Sequence, residues 1–328
     1  MKKLGSVLLI GLMVMLVGCS QAASETAPAA ETIEGETAVQ ESENSEQAEE
    51  IVVPNLIVED ELGRQVEFEV LPERVLSLYA SFTDLWLEAG GSLVGTVDSS
   101  TLPEAAGDIP KLGKGTPNVE DILTYEPDLV LLSAGRSAHQ ELADVFDQNG
   151  IQYLFIDYNN FEECLSTYEK FCQLTDRADL FESQGLKMQE EIETIVSEQE
   201  KNEFTYLLLF ATSKSVTTKD DNIASEIINE CGGINIAEDG AVANEESKQF
   251  SLEKILEMDP DYIFVQTMGS VEKAQARLES DILSNPAWNG LSAVQGDRYL
   301  YLPKELFLYK PNMKYPDAYQ YFVDLIHE

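Results

Sequence analysis

Histidine is nearly missing from this chain. Only His139 and His327 occur, which leaves almost nothing from which to build a histidine-ligated metal centre. Cations are scarce as well: 21 Lys and Arg stand against 60 Asp and Glu, a formal net charge of −39. That excess repels phosphate backbones and anionic headgroups, so nucleic acid is excluded as a partner. The four cysteines contain no CxxC pair to support a redox role. No nucleophile elbow, Walker loop or metal-ligand cluster is present, and Ser137 and His139 lie two apart without a spaced carboxylate. The chain reads as a non-enzyme. Its longest apolar run, Leu4 to Val17, is too short to span a bilayer comfortably.

That run has another use. Lys2 and Lys3 precede it, and it ends in Leu16-Val17-Gly18-Cys19, the pattern of a lipobox, in which the cysteine is lipidated after cleavage. Residues 1–19 are thus expected to be a lipoprotein signal, and acyl chains on Cys19 the only attachment to a membrane. Residues 20–52 are Ala, Ser, Thr, Glu and Gln with little to bury, which predicts a disordered acidic tether. Its like charges extend it beyond the roughly 30 Å of a random coil.

One phrase occurs twice. Asn118-Val-Glu-Asp-Ile-Leu-Thr-Tyr-Glu-Pro-Asp-Leu-Val-Leu-Leu-Ser133 returns 133 positions later as Ser251-Leu-Glu-Lys-Ile-Leu-Glu-Met-Asp-Pro-Asp-Tyr-Ile-Phe-Val-Gln266. Each copy opens on an N-cap residue and places a glutamate, Glu120 or Glu253, against the helix dipole. Pro127 and Pro260 end the short helix, because proline disfavours the helical conformation of the residue before it. An apolar run then predicts a buried parallel strand. The repeat implies two similarly built halves, with Glu120 and Glu253 in equivalent places.

Along the chain, Leu56–Val58 and Val66–Val70 flank Glu61-Leu-Gly-Arg64 as a hairpin. Strands are expected at Val75–Leu78, Leu93–Val97, Leu129–Leu132 and Tyr153–Ile156, with a helix opened by Ser81 and capped through Asp84, and another over 138–148. This alternation predicts an N-terminal α/β lobe over 53–175. Residues 161–201 read as helical, broken near Leu174-Thr175-Asp176. The stretch over 176–201 carries Phe181, Met188, Ile192, Ile195 and Val196 on one side, as either a rigid bridging strut or an ordinary amphipathic helix. A second α/β lobe over 202–328 restarts with a strand at Tyr206–Phe210 and closes with a helix over 316–326. Cys164, Cys172 and Cys231 read as small buried apolar residues; the first two sit about 12 Å apart on one helix, beyond disulfide reach.

Open α/β sheets bind ligands beyond the carboxyl ends of their strands. From the first half that rule gathers Tyr79, Ser81, Phe82, Ser133, Arg136, Asp157, Tyr158 and Asn159. From the second it gathers Thr212, Ser213, Lys214, Thr267, Met268, Phe307, Tyr309 and Lys310. The set is aromatic and hydroxyl-rich, and it contains three of the few cations. Such a cleft suits a bulky ligand with acidic or oxygen-rich edges.

The lipobox, the acidic tether, the Asp60-Glu-Leu-Gly-Arg64 hairpin, Pro72-Glu-Arg-Val-Leu-Ser-Leu78, the twin Pro-Asp units and Trp288…Leu291-Ser-Ala-Val-Gln-Gly296 occur together in this order. In that order they resemble substrate-binding lipoproteins of the iron-siderophore, haem and vitamin B12 class of ABC importers. The resemblance covers roughly residues 55–328. It implies two α/β lobes with mainly parallel central sheets bridged by one long rigid helix, a ligand cleft between them and little hinge closure. It also implies that Glu120 and Glu253 pair with arginines of a membrane permease, worth about 0.2–1 kcal/mol each if exposed. The partners implied are that permease with its ATPase and a small-molecule metal chelate, bound by a monomer lying outside the cell membrane. No covalent or catalytic cofactor is expected. Ferric siderophore ranks first as ligand, because Arg136, Lys214 and Lys310 suit an anionic chelate; Lys310→Ala should weaken such a chelate strongly and a corrinoid little. Corrinoid ranks second. Haem ranks third, with Tyr79, Met268, Tyr309 and His139 as the available axial ligands. A surface-attached ligand sensor would share the same fold and anchor.

Overall fold

The computed structural model describes residues 55–113, 118–199, 202–237 and 252–327. The expected lipidation site Cys19, the tether and the N-cap residue Ser251 lie outside them.

The described chain opens on an antiparallel hairpin of β1 (Leu56–Glu59) and β2 (Gln65–Phe68), closed through Gly63 at φ +76°. The first sheet follows: β3 (Val75–Ser77), helix α1 (Ala80–Glu88), β4 (Gly95–Thr96), α2 (Val119–Leu123), β5 (Leu129–Ser133), α3 (Ser137–Gln140), α4 (Ala143–Asn149) and β6 (Gln152–Ile156). Its order is β4-β3-β5-β6, all parallel. The chain then runs as α5 (Phe161–Leu174), α6 (Ala178–Leu180), a π turn (Phe181–Gly185) and α7 (Leu186–Glu198). The break expected near Asp176 falls there, that residue sitting at φ +56°.

The second sheet contains β7 (Phe204–Ala211), β8 (Val216–Thr218), β9 (Gly233–Asn235), β10 (Tyr262–Thr267) and β11 (Tyr299–Tyr301). They follow the order β11-β10-β7-β8, with β9 also on β7; only β8 is antiparallel. Its helices are α8 (Ile223–Glu230), α9 (Leu252–Met258), α10 (Val271–Leu278), α11 (Ser292–Gln295), α12 (Lys304–Phe307) and α13 (Tyr315–His327). The chain is α/β with two mainly parallel sheets, as its sequence predicted. Two local expectations fail. Ser81 lies inside α1 rather than capping it, since the helix starts at Ala80 after an extended Tyr79. The helix expected over 138–148 is split into α3 and α4.

The repeated phrase builds the same device in both sheets. Glu126 and Asp259, each before its proline, adopt φ +47° and +40°. The proline denies them the helical conformation, and the left-handed one turns the chain from helix into strand. The aspartate after the proline then ties its strand to the start of a parallel neighbour. Asp128 accepts the amides of Glu73 and Arg74 at 2.8 and 3.0 Å, just ahead of β3. Asp261 accepts the Thr205 amide at 2.8 Å and its hydroxyl at 2.9 Å, at the start of β7. The Pro-Asp pair thus fixes strand register as well as ending a helix.

One apolar cluster joins the two sheets. It runs through Phe82, Trp86, Tyr158, Cys164, Tyr168 and Phe171 to Tyr206, Phe264, Tyr315, Tyr319 and Phe322, and takes in Met188 and Ile192 of α7. The helical stretch between the sheets is therefore packed rather than free-standing, with α7 lying against α13. Each sheet has a separate cluster on its other face.

A polar hook crosses this seam. Asn312, buried and at φ +53°, accepts the Tyr158 hydroxyl at 2.6 Å. Its amide nitrogen donates to the Ser81 carbonyl at 2.8 Å and to Asp84 Oδ2 at 2.7 Å. A second crossing is made by Glu226 of α8, whose carboxyl accepts the Phe161 amide at 2.8 and 3.1 Å where α5 begins. Burial raises its pKa to about 7, opposed by that hydrogen bond and assisted by Glu230 and Glu163.

Two outcomes are expected. Asn312→Ala should cost roughly 2–4 kcal/mol in denaturant unfolding, since it leaves the buried Tyr158 hydroxyl unpaired and puts a Cβ-bearing residue without a compensating side-chain bond at positive φ. Asn312→Gly, which relieves only the backbone, should recover part of that loss. For Glu226 the folded pKa lies above the unfolded one. Its contribution is therefore complete below the unfolded value and lost as pH rises through about 7. Thermal midpoints compared at pH 5 and 8 should fall more for the wild type than for Glu226→Gln.

Candidate functional site

The carboxyl ends of the strands in both sheets open onto one cleft of about 720 Å³. Tyr79, between β3 and α1, packs at a tilt of 38° against Phe82 with 4.6 Å between ring centres and carries the Arg136 guanidinium 4.7 Å from its own. Arg136 follows β5, is exposed, and has no carboxylate partner among the described residues. Ser133 at the end of β5 and Gly135 beyond it, Asp157 and Asn159 after β6, and Asp98, Ser99 and Thr101 after β4 also line the first wall, so two carboxylates share it with Arg136.

The opposite wall is built by β7, β8 and β10. The Thr212 hydroxyl accepts the amides of Lys214 and Ser215 at 3.1 and 3.0 Å, which turns the chain back after β7. β8 then returns antiparallel and delivers Lys219 to the cleft, 5.1 Å from the centre of the Phe210 ring. Gln266 of β10 lies behind, donating to the Phe307 carbonyl at 2.5 Å and accepting from Asn222 at 3.0 Å. Met268 is 53% exposed at the rim.

Of the residues nominated from sequence, Tyr79, Ser81, Ser133, Arg136, Asp157, Asn159, Met268, Phe307, Tyr309 and Lys310 line this cleft, and Thr212 and Thr267 do not. Neither do Phe82 and Tyr158; both rings are wholly buried in the seam beneath it. Ser213 and Lys214 are also absent from the lining, because the Thr212–Ser215 turn carries them outward as its exposed tip. Sequence reasoning missed Lys219 and Phe210, although the β-rich runs on either side of that short turn spell a hairpin. His139 is no candidate axial ligand. It is buried, its Nδ1 accepts the Ser133 amide at 2.9 Å, and burial together with the Arg136 charge lowers its pKa to about 4. Among the described residues no cluster of His, Cys, Asp or Glu is arranged to hold a metal ion.

Away from the cleft, Glu120 stands exposed at the second position of α2, whose cap Asn118 accepts its amide at 3.0 Å. Glu253 is exposed at the second position of α9. Cys164, Cys172 and Cys231 are buried free thiols, as their sequence context predicted.

A cleft between two sheet ends, lined by aromatic rings and unpaired cations, defines a small-molecule binding protein. The model of the periplasmic binding protein family matches residues 75–306, and the chain belongs to that family. The vitamin B12-binding protein of Yersinia pseudotuberculosis serotype O:3 is 28% identical over 212 residues, 62% of this chain and 73% of that protein. Two Staphylococcus aureus structures share the fold. IsdE complexed with haem is 19% identical with TM-score 0.62, covering 78% of this chain and 99% of its own. SirA complexed with staphyloferrin B is 20% identical with TM-score 0.62, covering 83% and 96%. The family and the Yersinia relative are described as binding proteins, and this chain is a binding protein rather than an enzyme.

Proposed function

We propose that this protein is the extracytoplasmic substrate-binding component of an ABC importer, held to the membrane by lipid on Cys19, and that its cargo is an anionic metal chelate of the ferric siderophore type. The observation that carries the ligand reading is the pair Arg136 and Lys219. In a chain of net charge −39, two cations without carboxylate partners among the described residues face one cleft from opposite sheets, each over an aromatic ring. An aromatic face tolerates a cation beneath an anionic ligand, while leaving its N–H donors free for charge-assisted hydrogen bonds. Hydroxyl and amide groups from Ser81, Ser99, Thr101 and Asn222 add neutral partners for an oxygen-rich ligand.

Corrinoid binding is the second reading, supported by relatives named as vitamin B12-binding proteins. Haem ranks third: with His139 buried, Met268, Tyr309 and Tyr79 are the ligating side chains that line the cleft. The exposed Glu120 and Glu253, on equivalent helices of the repeat, are read as the permease contacts.

Spectroscopic and thermal-shift titration with ferric siderophores, cobalamin and haem separates the three ligands, since a true ligand raises native-state stability by mass action. Arg136→Ala and Lys219→Ala should each weaken an anionic ferric chelate by about tenfold or more, about 1.5–3 kcal/mol for a lost charge-assisted hydrogen bond. Unaltered dissociation constants in both variants would refute the anionic reading. Glu120→Ala/Glu253→Ala should retain ligand affinity and lose permease engagement, measured by pull-down and cellular uptake; normal uptake would exclude the docking role.

A further inference from the structure

A third cation lines the cleft, and an acid already holds it. Lys310 lies beyond α12 and Asp157 ends β6, so the two reach each other from opposite sides of the seam. Lys310 Nζ stands 3.1 Å from Asp157 Oδ1, donates to the Tyr158 carbonyl, and lies 4.2 Å from the centre of the Tyr158 ring. Oδ1 also accepts the Tyr158 amide at 3.0 Å, which orients the carboxylate. The lysine side chain is 11% exposed and the aspartate 35% exposed.

The other oxygen of Asp157 faces a different environment. Oδ2 has no hydrogen-bond partner among the described residues, and it lies beside Gly135, where a Cβ would stand 3.3 Å from it and 3.9 Å from Ser133 Oγ. Gly135, Ser133 and Asp157 all line the cleft. This part of the wall therefore offers a ligand a neutralised lysine and a bare carboxylate oxygen. Arg136 and Lys219 have no such acid on them.

We propose that Asp157 sets the charge specificity of the cleft: it neutralises Lys310 and turns an unpaired anionic oxygen toward the ligand, so that total negative charge on the cargo is limited. The inference rests on the reading of the cleft as a metal-chelate site. It also changes the part expected of Lys310, whose charge serves the seam and offsets Asp157 rather than gripping the cargo directly.

The test compares two anionic probes, ferric citrate and haemin, with two neutral ones, ferrichrome and cyanocobalamin. Dissociation constants are measured on the wild type, Asp157→Asn and Lys310→Met, with thermal midpoints as a check on folding. Asp157→Asn preserves the shape, removes the charge and releases Lys310. It should tighten whichever anionic probe binds by about tenfold, about 1.4 kcal/mol, relative to any neutral one. Lys310→Met leaves the aspartate uncompensated and should shift the same ratio about tenfold the other way. A pair with a purely structural role would instead lower affinity for all probes together, in both variants, and that result overturns the inference. If Asp157→Asn fails to fold, the anion-selective loss in Lys310→Met decides alone. Failure of the wild type to bind any of the four probes refutes the chelate reading itself. Binding by the wild type with unchanged ratios in the variants refutes only the role of Asp157.

Discussion

The seam between the two sheets governs everything else in this molecule. Its apolar part is continuous: aromatic side chains from α1, α5, β7, β10 and α13 belong to one buried cluster. Separating the sheets would expose that surface to water at about 25 cal/mol for every Å², and would also strip Asn312 of one buried and two partly buried hydrogen bonds. An opening with both costs is rare in the native ensemble. The cleft above the seam is consequently formed before any ligand arrives, and binding has little chain to order.

The regular architecture was legible in the sequence because it rests on local rules. Apolar runs marked the parallel strands, and the duplicated Pro-Asp phrase marked two halves. The break at Asp176 fell where the chain needed a left-handed residue. The cleft was legible only in part. Strand ends predicted its general position, which sufficed for Tyr79, Arg136 and Met268. A two-way error arose after β7, where the chain reverses at Thr212–Ser215 and so exchanges one lysine for another. Tyr158 follows a strand end but points into the seam, and its short segment has no periodicity to show it; Phe82 lies within α1, where its helical spacing to Leu85, Trp86 and Ala89 marks the same buried face. Pairing of Lys310 with Asp157 joins residues 153 positions apart, beyond the reach of any local pattern.

Scarcity gives each cation here a distinct use. Arg64 lies 3.8 Å from the centre of the Tyr153 ring and donates to the Tyr153 carbonyl, tying the hairpin to β6. Arg74 donates to the carbonyl of Glu126, within the turn of the first Pro-Asp unit. Lys310 serves the seam. With so many positive charges committed to the frame, the two left uncommitted in the cleft acquire weight that they would lack in a neutral protein. The acidic exterior repels anionic ligands in general, while the cleft reverses that sign over a few side chains.

The three buried cysteines have a chemical consequence of their own. Burial raises the pKa of all of them, that of Cys231 to about 11. The thiolate is the species that reacts with disulfides, peroxides and alkylating agents, so these sulfurs are silent at neutral pH while the chain stays folded. Outside a reducing cytoplasm that silence protects the protein from mispairing. It also gives the folded domain a blank thiol background, against which a fresh modification of any one of the three would report that the seam had come apart.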